Sequence, residues 1–92
     1  MKLGVYSLKK VLFQGDAKSV NCNTRSGEIT ILDNHEPLIS ILEKGTMTIV
    51  DGEGKEIFIP VSSGFLEVDS GSQAKILVEE DRPETLKVNA VN

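Results

Sequence analysis

Ninety-two residues, 39% hydrophobic, 26% charged and 4% aromatic, describe one small domain. Usual domain sizes leave no room for a second core. Ten Lys and Arg against fourteen Asp and Glu give a formal charge of −4, which argues against a nucleic-acid binder that works by neutralising phosphates and against a basic patch held on anionic lipid. No stretch approaches the roughly 20 apolar residues that cross a bilayer, and Met1-Lys2-Leu3-Gly4-Val5 lacks the apolar run of a signal peptide, so a cytoplasmic or equivalent compartment is expected. The single cysteine, Cys22, has no internal disulfide partner, and with one His a Cys₂His₂ or Cys₄ zinc site is excluded.

In chain order, the punctuation is that of an all-β domain. Lys2 to Leu8 reads as an opening strand, and Gly15, after Leu12-Phe13-Gln14, starts a second run from Asp16 to Cys22. Asn23 to Gly27 is polar and reads as a loop. Glu28 to Leu32 alternates β-branched residues and predicts a strand. Asp33 to Pro37 is a second loop, since proline lacks a backbone donor and pushes its predecessor towards extended geometry. Leu38 to Leu42 allows a helical turn or a buried strand by spacing; five residues are too few for a helix on propensity alone, so a strand is expected.

Two hairpins follow. Thr46–Val50 and Lys55–Ile59 flank Asp51-Gly52-Glu53-Gly54, with Met47 and Ile49 inward against Ile57 and Ile59. Gly64–Val68 and Gln73–Glu79 flank Asp69-Ser70-Gly71-Ser72, with Leu66, Val68, Ala74, Ile76 and Val78 inward and Glu67, Lys75, Leu77 and Glu79 opposite. Short strands at this spacing predict a β-sandwich or barrel. Residues 1–80 form the domain. Residues 81–92, charged and broken by Pro83, read as a polar tail or a short edge strand.

The residues offer little catalysis. His35 is the only histidine and no Gly-x-Ser-x-Gly elbow is present. Glu28 and Asp33 bracket a short strand, so roughly 15 Å separates them at ~3.3 Å per residue, wider than the ~5–9.5 Å of a glycosidase pair. Gly52-Glu53-Gly54-Lys55 contains Gly-x-Gly but reads as a hairpin turn, with no helix to hold a phosphate. No catalytic, cofactor or metal residues are assigned. The residues alone support a small β-sandwich binding module, and fold alone does not name its partner.

Four segments carry a resemblance: Leu12-Phe13-Gln14-Gly15 with the run to Val20; Ser26-Gly27-Glu28-Ile29-Thr30-Ile31-Leu32-Asp33-Asn34-His35-Glu36-Pro37-Leu38; Lys44-Gly45; and Ser63-Gly64-Phe65-Leu66-Glu67-Val68. Together, in order, they resemble the N-terminal domain of the epsilon subunit of F-type ATP synthase. Asp33 stands where that family often has proline, Ser63 replaces a common glycine, and the family's C-terminal two-helix hairpin has no counterpart before Asn92. A naturally short form and a fragment both fit.

The resemblance implies a flattened β-sandwich of about ten short strands in two sheets. It implies a non-catalytic central-stalk subunit that binds the gamma subunit and the polar loops of the membrane rotor ring, coupling ion flow to ATP synthesis. Its place would be peripheral, on the cytoplasmic face of the cell inner membrane, without direct lipid insertion. Inhibition of hydrolysis and nucleotide binding depend on the hairpin in that family, so neither is expected. By the same resemblance the ring-facing loop is Arg25, Ser26, Gly27 and Glu28, and the gamma-facing surface is His35, Pro37, Leu38 and Leu42. Leu38 and Leu42 also read as plain core, Glu28 as a solvated charge, and Gly27 and Gly64 as backbone requirements. The alternative is a stand-alone sandwich binding a carbohydrate or peptide, for which aromatic platforms are few: Tyr6, Phe13, Phe58 and Phe65, without tryptophan.

Overall fold

A strand sends successive side chains to opposite faces, so an alternating sequence hides one row and exposes the other. The computed structural model describes residues 1–80 and follows this rule along most strands; β1 departs from it, burying Leu3, Gly4 and Val5 in succession. It contains β1 (Lys2–Tyr6), β2 (Val11–Thr24), β3 (Gly27–Leu32), β4 (Leu38–Leu42), β5 (Gly45–Asp51), β6 (Glu56–Val68) and β7 (Gln73–Glu80). All are strands, consistent with a β-sandwich. The expected tail at 81–92 lies outside the described residues.

Among the described residues, seven strands pair in one continuous network, so the expected division into about ten short strands in two sheets is not seen as such. The reason lies in β2 and β6, with 14 and 13 residues. The first part of β2 pairs with β1 from Val11 to Asp16, and its remainder pairs with β5 and β3. Likewise β6 pairs with β5 up to Val61, then with β4 and β7. Gly15, at φ 151°, and register shifts between Ala17 and Ser19 and between Val61 and Ser63 mark the places where these strands change neighbours. A bulge bends a strand without ending it. The glycine that reads in sequence as a break is therefore a flexible point within one strand. Among the described residues, Pro60 pairs only with Thr46 of β5, and the β6–β7 ladder begins at Val61, a place where a missing N–H is tolerated.

The core collects the inward rows of both parts of the network. Val5, Val20, Ile31, Met47, Ile49, Leu66 and Ile76 are its most buried members. Each contributes about 1.5–3 kcal/mol on area bookkeeping, an upper figure because unfolded chains are already partly compact. The expected inward residues Leu66, Val68, Ala74, Ile76 and Val78 are all buried. Met47 pairs with Ile59 and Ile49 with Ile57, as the hairpin pattern predicts.

Both hairpin turns are closed by an aspartate. Asp51 Oδ1 accepts the amides of Glu53 and Lys55, each at 2.9 Å. Asp69 Oδ1 accepts those of Gly71 at 2.8 Å and Gln73 at 3.3 Å. A short carboxylate side chain that caps its own turn is why Asp leads these loops.

Candidate interaction surfaces

The loop from Arg25 to Glu28 is built on a buried hydroxyl. Thr24, 5% exposed, donates its Oγ1 hydrogen to the Gly27 carbonyl at 2.7 Å and accepts the Ser26 amide at 3.1 Å. Gly27 takes φ 121°, a value open to glycine. The Arg25 amide donates to the Ile41 carbonyl at 3.0 Å, and the Glu43 amide to the Asn23 carbonyl at 2.9 Å. The Arg25 guanidinium lies 3.6 Å from the Glu43 carboxylate, with both side chains mostly in solvent, so this pair adds little stability. The backbone of the turn is therefore fixed, while Arg25, Ser26, Gly27 and Glu28 are all exposed.

The second loop lies at the other end of β3, about 17–20 Å away at the usual strand rise. The His35 amide donates to the Leu32 carbonyl at 3.2 Å. Its ring Nδ1 lies 2.8 Å from the Glu36 carbonyl; a carbonyl only accepts, so that nitrogen carries the proton. Asn34 adopts φ 64°, and its Oδ1 accepts the Ser72 hydroxyl at 3.1 Å. Asp33 pairs with the Met1 ammonium, which also donates to the Ala17 carbonyl at 2.8 Å.

The sequence-assigned residues around this loop occupy different positions. His35 is half-buried and Pro37 exposed. Leu38 is half-buried and packs against the core, and Leu42 is 2% exposed within it. Leu38, Ser40 and Leu42 form the inward row of β4, leaving Ile39 and Ile41 outward.

The outward residues are what site reasoning from sequence missed. Register places Ile41 beside Phe65, Phe65 beside Leu77, Leu77 beside Tyr6, and Tyr6 beside Val11. Ile41, Phe65, Leu77 and Val11 are 43–54% exposed. They form an apolar row across β4, β6, β7, β1 and β2. A signal for it was present, since alternation already places Leu77 opposite the inward row. The next row across the same strands is Ile39, Glu67, Lys75, Gly4 and Gln14. The outer face formed by β3, β2 and β5 differs: Thr30, Asn21 and Thr48 line up there, with Asn21 Nδ2 donating to Thr30 Oγ1 at 2.8 Å.

Over the second row lies an open groove of about 510 Å³ whose walls include Lys2, Gln14, Glu67 and Lys75. The Tyr6 ring lies across Gly4, close enough that no side chain fits there: its Cζ would stand 2.7 Å from a Cβ. Tyr6 is the one aromatic in the groove, so a paired platform for a sugar is not formed. Among the described residues, no group of three or more His, Cys, Asp or Glu is placed to hold a metal ion. Burial pushes the Cys22 thiol up to about 11, so it is protonated and unreactive at neutral pH.

A rigid all-strand body with fixed polar loops at both ends of one strand and an exposed apolar row has the attributes of a protein-interaction domain. Residues 1–82 match the family described as the ATP synthase delta/epsilon chain beta-sandwich domain, and the chain belongs to that family. It is 41% identical over 71 residues to the ATP synthase epsilon chain of Bordetella petrii, covering 77% of this chain and 50% of that one. It is 33% identical to that of Sulfurovum sp., covering 75% and 54%. The chain thus spans about half the length of these relatives. Its fold resembles a chain in the cryo-EM structure of the Euglena gracilis mitochondrial ATP synthase (OSCP/F1/c-ring), with TM-score 0.80, 22% identity, and coverage of 97% and 60%. A chain of the Tetrahymena thermophila mitochondrial central stalk and c-ring gives TM-score 0.76 at 15% identity, with coverage of 87% and 63%.

Proposed function

We propose that this chain is the β-sandwich part of a non-catalytic central-stalk subunit of a rotary ATP synthase, peripheral to the membrane on its cytoplasmic face. In this reading the Arg25–Glu28 turn meets the polar loops of the rotor ring, and the His35–Pro37–Leu38 end meets the gamma subunit. Leu42 lies in the core and anchors β4 there, outside the contact itself. The observation that carries the reading is the placement of two hydrogen-bonded loops at opposite ends of β3. A domain that bridges two bodies and turns with them needs contacts that do not yield under load. A charged turn also suits polar loop ends, since it pairs without burying a large apolar area.

The test is co-elution of the chain with the gamma subunit on size exclusion, followed by calorimetry. One-to-one binding supports the reading. No binding at about 50 μM, far weaker than a stable interface of ordinary size gives, overturns the gamma contact.

A further inference from the structure

We propose that the face formed by β4, β6, β7 and β1 is self-complementary, and that the free chain pairs through it with a second copy of itself. The proposal does not rest on the stalk reading. Consider a two-fold axis parallel to the strands, running between β6 and β7. It lays β6 of one copy over β7 of its partner, and β4 over β1, in the aligned packing of stacked sheets about 10 Å apart. Residues in one row then meet residues in the same row. Phe65 lies against Leu77 of the second copy, and Ile41 against Tyr6. In the next row Glu67 lies against Lys75, and Ile39 enters the groove over Gly4, whose floor is the Tyr6 ring.

Three independent features coincide under this one operation. The apolar row meets itself, with Ile41, Phe65 and Leu77 each at least 43% exposed. The oppositely charged neighbours Glu67 and Lys75 each meet the other's counterpart. The most exposed large apolar side chain of the face, Ile39 at 64% exposure, meets the groove over Gly4. An isologous contact requires this kind of self-matching. Axes centred on β7 or on β6 fail it, because they stack Lys75 on Lys75 or Glu67 on Glu67.

The test is sedimentation equilibrium of the 92-residue chain up to about 0.5 mM, a range that captures small, weak interfaces. A dimer is expected. Glu67→Lys and Lys75→Glu alone each place like charges across the axis, and each weakens self-association about tenfold. Mixed one to one, the two variants face Lys with Glu at both contacts and restore the dimer as a heterodimer. A purely intrachain role of Glu67 and Lys75 does not produce that rescue. Phe65→Ser leaves a folded monomer by circular dichroism. A monomeric wild-type chain at the highest concentration overturns the proposal. So do single variants that dimerise like wild type, or a mixture that stays monomeric.

Discussion

The amide of Arg25 donates to the carbonyl of Ile41 across 3.0 Å, joining the tip of the polar β2–β3 turn to the strand that carries the exposed isoleucines. The turn therefore moves with β4 and not as a free loop. The turn and the apolar face thus share an anchor at Ile41, whose carbonyl holds Arg25 and whose side chain lies on the face.

Glu28 is the exposed charge at the end of this turn, and its reversal is expected to act on partners and not on folding. Glu28→Lys should change stability by less than about 0.5 kcal/mol, as surface substitutions usually do. In an assembled synthase it should weaken attachment to the ring or the coupling of ion flow to synthesis. Denaturant unfolding of the free chain checks the first part and ATP synthesis in membrane vesicles the second. A loss of several kcal/mol would assign Glu28 a structural role.

Thr24 is expected to behave in the opposite way. Its hydroxyl satisfies both the Gly27 carbonyl and the Ser26 amide. Thr24→Val keeps the shape and removes the hydroxyl, at a cost of about 1–3 kcal/mol for the groups left unpaired. Thr24→Ser retains the bonds and should cost less. Equilibrium unfolding of the two variants separates the hydrogen bonds from the methyl packing.

Strand pattern and turn chemistry were legible in the sequence to different depths. Both hairpins could be read because an aspartate and a glycine interrupt strict alternation, and the inward rows at Met47–Ile49 and Ala74–Val78 follow from period two alone. The continuity of β2 and β6 was not legible. A glycine inside a strand and a glycine ending one look alike until pairing partners are known, and the bulges that bend these strands are defined only by register. The turn was visible as the polar run Asn23 to Gly27, but its anchor on Thr24 was not, since nothing local marks one threonine as buried; β2 runs on to Thr24 and β3 starts at Gly27. Leu38 and Leu42 versus Ile39 and Ile41 is the sharpest case. Five consecutive residues, four of them apolar, hide which face is inward, and β6 alongside decides it by placing Leu42 opposite Gly64 and Ile41 opposite Phe65.

Cys22 predicts a pH dependence. Its thiol rises from 9.0 unfolded to about 11 folded because burial disfavours the thiolate. Above pH 9.0 the unfolded chain has given up a proton that the folded chain keeps, so stability falls with rising pH. The contribution is intact below about pH 9 and falls by up to about 1.4 kcal/mol per pH unit towards pH 11, then levels. The readout is therefore the difference between wild type and a Cys22 variant. Cys22→Ala should unfold less steeply with pH between 9 and 11 than wild type, from a lower starting stability. Equal slopes would remove Cys22 as the cause.

Leu42 and Ile41 are neighbours in sequence with opposite surroundings, and the pair separates core from contact. Leu42 is 2% exposed and Ile41 43%. Leu42→Ala should cost about 2–5 kcal/mol, the usual price of a deleted core side chain and its cavity. Ile41→Ser should cost less than about 1 kcal/mol, because half of that side chain is already in water. Gamma binding measured by calorimetry below the unfolding transition should then be unchanged by Leu42→Ala and reduced by Leu38→Ser or Pro37→Ala, whose side chains lie at the loop end. Leu42→Ala that loses the expected stability but, while still folded, also fails to bind would mean that β4 turns its other face outward in the complex, exchanging Leu42 for Ile41. A one-residue slip of this strand against β6 would produce that exchange.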